Sequence, residues 1–229
     1  AAAGERDAQA PPGRKVSATL MRQSVSFDDL GTHLDWELEG VFARQIDWFW
    51  SNMEKGFVLW HPEEHEPLSW PVPPEHGNPI GAIHNAPQTW KDGRRQDLYI
   101  RFEALEWVRP ELRDGICHEH VIIVAGLGLG AAALEVADPM GYRLHQWTQT
   151  DRGVCGKSSA LPTRVPETRE QGAVWAAHCA EEIGNWQVFL PDLYRLYRVV
   201  TDTRRNPFAD LSVDGRGRAA RYRFIRSSK

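Results

Sequence analysis

Between Val41 and Met53 the chain reads VFARQIDWFWSNM, with apolar side chains at Val41, Phe42, Ile46, Trp48, Phe49 and Trp50. That spacing predicts an amphipathic helix with a wide apolar face. The proline-rich run SWPVPPEHGNP, residues 69 to 79, reads as a loop. DLYIRFEALEW (97 to 107) then alternates, with Leu98, Ile100, Phe102 and Ala104 on one side and Tyr99, Arg101, Glu103 and Leu105 on the other. This is the pattern of a strand with one buried face. HEHVIIVAG (118 to 126) and YRLHQWTQT (142 to 150) add two strands rich in β-branched and aromatic residues, the second placing His145 and Trp147 on one face.

The longest regular segment spans residues 169 to 200. It has a helical rhythm through Val174, Ala177, Ile183 and Trp186, and Pro191 is expected to kink or restart it. Strands followed by a long C-terminal helix predict an α+β domain, a curved antiparallel sheet wrapped around that helix with a cavity between them. Residues 1 to 15, all Ala, Gly, Pro and charge apart from Gln9, read as a mobile tail, which leaves residues 16 to 229 as a single domain.

Composition narrows the function classes. A formal net charge of -4 and a pI near 6.2 leave no basic footprint for nucleic acid. No apolar run approaches the roughly 20 residues that span a bilayer, and the N-terminus lacks a charged-then-apolar leader pattern. Three dispersed cysteines, Cys117, Cys155 and Cys179, suggest neither a disulfide framework nor a thiolate metal site. A reducing, cytoplasmic setting is therefore expected. The 10 tryptophans fit either the wall of a pocket for a planar small molecule or an ordinary core.

Gly126-Leu127-Gly128-Leu129-Gly130-Ala131 formally matches a dinucleotide fingerprint. The following segment is too short before Pro139 for the required helix, and the next strand is too polar to lie buried in a parallel sheet. A flexible glycine-rich loop between strands is the better expectation.

Two stretches carry candidate metal chemistry. In GFVLWHPEEHEPLSW, residues 56 to 70, His61 and His65 stand four apart, either as ligands on one helical turn or as part of a turn begun by Pro62. In HCAEE, residues 178 to 182, His178 and Glu182 project from one helical face among Ala177, Cys179 and Ile183. His65 is the candidate third corner, and Glu63 and Glu64 are then expected to be solvated acids. His118 and His120 share a strand face of unknown direction, and His145 gains interest only if its face looks inward.

LWHPEEH, YRLHQWTQTDRGVCGKSS and HCAEEIGNWQVFLPDLY, in order along residues 45 to 198, resemble motifs of the diacetylphloroglucinol and phloretin hydrolase family. The resemblance implies a START-like helix-grip domain holding a zinc ion, with hydrolysis of the carbon-carbon bond between an acyl group and a phloroglucinol-type ring. It implies His65, His178 and Glu182 as metal ligands and His145 as the residue that hydrogen-bonds the ring hydroxyls. The family's fourth ligand, a glutamate, has no acidic counterpart in GAIHNAPQTW (81 to 90), where His84, Asn85 and Gln88 are the replacements. Family tyrosines correspond to Phe57 and Ala160, and a polar position corresponds to Leu68. These exchanges keep open a non-hydrolytic alternative: an isomerase, cyclase or ligand-binding protein for a phenolic or polyketide-like molecule. A homodimer is compatible with either reading.

Overall fold

The computed structural model describes residues 22 to 200 and 208 to 225, so the tail expected at residues 1 to 15 lies outside the described residues. An opening hairpin, β1 (Arg22–Asp28) and β2 (Gly31–Glu39), leads into α1 (Ala43–Trp50) and the single turn α2 (Phe57–Trp60). There follow β3 (Ser69–Val72), β4 (Ile83–Thr89), β5 (Arg95–Glu103), the short α3 (Pro110–Arg113), β6 (His120–Leu129), β7 (Gly141–Gln149) and β8 (Gly153–Pro162). The long α4 (Arg169–Val199) precedes a small hairpin, β9 (Leu211–Asp214) with β10 (Arg221–Phe224). The first eight strands form one antiparallel sheet in the order β1-β2-β8-β7-β6-β5-β4-β3. This is the expected α+β helix-grip architecture.

Side-chain alternation decides which face grips the helix. Leu34, Trp36 and Leu38 of β2, Phe102 of β5, Ile122 and Val124 of β6, Trp147 of β7 and Ala86 of β4 share one core with Ile183, Trp186 and Leu190 of α4. Trp186 meets Trp36, Phe49, Trp50 and Trp60 with ring centroids 5.4 to 6.2 Å apart, so tryptophans fill much of the space between sheet and helix. The opposite face is covered too. Ile123, Leu144 and Leu161 pack under Val108 and Leu112, from the segment after β5, and Ala125 and Leu127 pack under Ala133. The expectation of a single buried face for β5 is corrected accordingly, and that strand stops at Glu103, where residues 105 to 107 turn away.

Four further expectations give way to tertiary context. Ser69–Val72, assigned to a loop, pairs with β4 as an edge strand, where a proline such as Pro71 is tolerated. The glycine-rich run 126 to 130 is not a loop: β6 continues through Leu129, and Leu127 is the extra residue of a bulge opposite Tyr99 and Ile100. Finally, α4 runs unbroken for 31 residues through Pro191. Leu190 and Leu193 on either side of the proline are buried in the main core, and that packing carries the helix across the lost hydrogen bond. The buried stripe of α4 is also rotated from the expected one, because Val174 and Ala177 are exposed while Trp175, Ala176 and Cys179 are buried.

At its start, α4 is held by reciprocal capping. The Thr168 hydroxyl accepts the Gln171 N–H at 3.2 Å, and the Gln171 side chain accepts the Thr168 N–H at 2.8 Å. The helix then lies close against β2, where Gly172 faces Thr32 with no room for a Cβ. That contact fixes the rotation of α4, and with it the direction of His178 and Glu182. No described helix is long and apolar enough to cross a membrane.

Candidate metal centre

The segment after α2 forms a compact turn. The His61 carbonyl accepts the N–H of Glu64 at 3.2 Å and of His65 at 2.9 Å, in keeping with Pro62 starting a turn. Glu66 N–H then bonds Pro87 O and Thr89 N–H bonds Glu64 O, both at 2.8 to 2.9 Å, so the turn is stitched to the end of β4. His65 is thereby carried, 1 % exposed, to the face of α4 that presents His178 and Glu182.

His65 Nε2, His178 Nε2 and Glu182 Oε1 form a near-equilateral triangle with edges of 3.2, 3.3 and 3.3 Å. A tetrahedral ion with bonds of about 2.0 Å has ligand edges of roughly 3.3 Å, so these donors match one face of such a site. The set of two imidazoles and a carboxylate leaves coordination positions open, as catalytic rather than structural sites do. These buried residues could hold a metal ion.

The other imidazole nitrogens are committed elsewhere. His65 Nδ1–H donates to the Phe57 carbonyl at 2.8 Å, and His178 Nδ1–H donates to Glu64 Oε2 at 2.7 Å. Each bond fixes the tautomer that turns Nε2 toward the shared point, the outer support that metal-binding histidines characteristically have. Phe57 also stacks flat on His65, centroids 3.9 Å apart, and Trp90 lies 5.1 Å from His178.

Charge follows this geometry. Burial pushes His65 below its ordinary value, so it is neutral near pH 7. Burial also opposes charge on His178, but the carboxylates of Glu182 and Glu64 outweigh it and raise the ring to about 9. Burial raises Glu182, yet His178 and His65 outweigh that and hold it well below the usual carboxylate range. Without a metal, the His178 Nε2 proton therefore sits between the other two donors.

Glu64 is the main correction to the sequence reading. Far from solvated, it is 4 % exposed and hydrogen-bonded to a candidate ligand. A signal was present, since a ligand histidine needs an acceptor for its second nitrogen, but the sequence does not say which of two adjacent acids turns inward. Glu63 is exposed, as expected.

The remaining candidates separate. Asn85 donates to Asp97 at 2.6 Å and lies on the same strand face as Tyr99, away from the helix. Gln88 donates to Gln96 at 3.4 Å. His84 is 3 % exposed, in ring contact with Trp70 and Phe102, and its Nδ1 has no partner among the described residues. Burial and the nearby His65 depress it to about 3. It is not among the donors clustered at the metal triangle.

His145 does look inward. Its Nδ1 lies 2.9 Å from Ser158 Oγ, its ring packs 5.2 Å from Trp50, and burial lowers it to about 4, so it is neutral. Ring contacts run from His65 to Trp60, from Trp60 to Trp50 and from Trp50 to His145. His120 bonds Asp47 at 2.9 Å and stacks on Trp147, and His118 lies 3.2 Å from the Thr148 hydroxyl, so neither joins the cluster. Phe57, Leu68 and Ala160 are all buried, so none of these three positions presents a hydroxyl to the interior. A concavity of about 520 Å³ bordered by Asp35, Glu37, His118 and Cys155 lies on the far side of the sheet, away from this chemistry.

No family model and no curated protein matches the chain. Among solved structures, one of a protein from Mycobacterium smegmatis is 17 % identical with a TM-score of 0.46, covering 74 % of this chain and 98 % of that one. Another, from Rhodobacter sphaeroides, is 16 % identical with a TM-score of 0.48, covering 75 % and 99 %. A third, from Arthrobacter aurescens, is 13 % identical with a TM-score of 0.45, covering 74 % and 91 %.

Proposed function

We propose that this protein is a zinc-dependent hydrolase that cleaves the carbon-carbon bond between an acyl group and a phenolic ring, or the equivalent bond of a diketone. The observation that carries the reading is the triangle of His65, His178 and Glu182, with edges of 3.2 to 3.3 Å. Two nitrogens and one carboxylate oxygen are a zinc donor set, and Glu64 with Glu182 supplies two negative charges to balance a divalent ion. When bound, zinc supplies Lewis acidity, which polarises a carbonyl and makes water a stronger acid.

The chain's own residues do the rest. His65 and His178 are held in orientation by Phe57 and Glu64, and the tryptophan-lined interior limits bulk water. Ser158 Oγ accepts the Trp36 indole N–H at 3.0 Å and lies 2.9 Å from His145 Nδ1. In the tautomer in which Ser158 donates to Nδ1, the single N–H of neutral His145 sits on Nε2, suited to orienting a phenol oxygen. Buried indole N–H groups of Trp50, Trp60, Trp147 and Trp186 lack acceptors among the described residues, and an oxygen-rich planar ligand would provide them. The overall balance is aryl ketone plus water giving arene plus carboxylic acid: the acyl carbon gains hydroxyl and the ring carbon gains the proton.

The alternative, a non-hydrolytic isomerase, cyclase or binding protein, draws on Phe57 and Ala160, which offer no hydroxyl where the resembling family has tyrosines. Incubating the zinc-loaded protein with an acylated phloroglucinol separates the two. Release of the free phenol and acid, abolished in His178→Ala, supports hydrolysis. Binding without turnover supports the alternative, and stoichiometric iron instead of zinc in the purified protein contradicts the zinc reading.

A further inference from the structure

His61 is 1 % exposed, yet neither of its ring nitrogens has a hydrogen-bond partner among the described residues. A buried polar ring left in that state signals a missing occupant, because an unsatisfied buried group costs about 1–3 kcal/mol. Its surroundings say what kind. His61 Nε2 lies 3.3 Å from Glu181 Oε2 and 3.9 Å from Glu64 Oε2, and the ring stacks on His178 with centroids 4.4 Å apart.

Each carboxylate turns its Oε2 toward His61, and that of Glu64 also accepts the His178 Nδ1–H at 2.7 Å. Glu181 Oε1 holds the Lys91 ammonium at 2.6 Å, and Glu64 Oε1 accepts the Lys91 backbone N–H at 3.3 Å. Their Oε2 atoms are the nearest acids to the His61 nitrogen, at 3.3 Å for Glu181 and 3.9 Å for Glu64, and neither makes a hydrogen bond to the ring, so a cation would have to draw the three donors together.

We propose a second divalent-cation site on the opposite side of His178 from the first, formed by His61 Nε2 and the Oε2 atoms of Glu64 and Glu181. Its donors, one imidazole and two carboxylates, select a transition-metal dication such as zinc or manganese. The two sites share Glu64, which accepts the His178 proton while facing His61, so an ion at the second draws charge away from the carboxylate that supports the first. The second site is the weaker and more exchangeable, because Glu181 is half exposed and Lys91 competes for it.

Zinc titration of the metal-stripped full chain, with elemental analysis of the product, tests this. The wild type takes two ions per chain, the weaker at least tenfold weaker than the tighter. His61→Ala loses the weaker, and Glu181→Gln, a half-exposed change that leaves the fold intact, weakens it at least tenfold. Glu182→Gln removes the tighter ion and retains the weaker, so the two sites fail independently. A wild type that takes one ion, unchanged by His61→Ala and Glu181→Gln, overturns the second site and leaves the first standing. A second ion that survives both substitutions overturns it as well.

Discussion

His65 Nε2 and His178 Nε2, 113 residues apart in sequence, face each other at 3.3 Å with Glu182 Oε1 equally close to both. One His178 proton is shared among three electron-rich atoms that the surrounding hydrogen bonds hold together, and a dication is a better fit for the same position.

Zinc binding therefore displaces that proton. His178 titrates at about 9, His65 is already neutral and Glu182 already ionised, so one proton per zinc is released at the tighter site between pH 6.5 and 9. Affinity rises about tenfold per pH unit across that window and flattens above it. The metal-free protein moves the other way. A folded value raised from 6.5 to about 9 stabilises fully below 6.5, and that contribution is lost as pH climbs through 9. Scanning calorimetry with and without zinc should show a Tm gain that widens from pH 6.5 to 9.

Glu64→Gln replaces a charged acceptor with a neutral one beneath His178. Affinity at the tighter site falls about 10- to 100-fold while far-UV circular dichroism stays unchanged. Competition against a zinc chelator reads this directly. An unchanged affinity shows that Glu64 has no part in orienting the ligand.

Much of this architecture was legible in the sequence, and the exceptions have physical causes. The helices at α1 and α4, the strands β5 to β7 and the pairing of His178 with Glu182 follow from periodicity. β4 and β8 are hidden because they interleave polar and small residues: GVCGKSSALP becomes a strand only because β2 and β7 flank it on both sides, whereas β2, where Leu34, Trp36 and Leu38 alternate with Asp35, Glu37 and Glu39, carries a plain strand pattern. Pro191 and the glycines of β6 show packing overriding local preference. The inward turn of Glu64 depends on where β4 pins the loop, a long-range contact that no local pattern encodes.

Ser158→Ala leaves the Trp36 N–H and His145 Nδ1 without their shared partner. Stability falls by about 1–3 kcal/mol by urea denaturation. Zinc content stays the same, because Ser158 touches none of the metal donors.

Gly156→Ala tests the same strand by volume. A Cβ there runs into the Gln146 carbonyl and the Trp36 indole, and the strand cannot withdraw without breaking its pairing with β7. An overpacking cost of about 1–3 kcal/mol is expected, read as a lowered Tm. Unchanged stability would mean that the sheet and Trp36 have more freedom than their packing allows.

The most direct measurement is anomalous scattering at the zinc edge from crystals of the full chain grown with zinc. A peak within about 2.0–2.2 Å of His65 Nε2, His178 Nε2 and a Glu182 oxygen is the expected result. Zinc-soaked crystals with no peak among these three side chains, or with the three splayed apart, would contradict the metal centre.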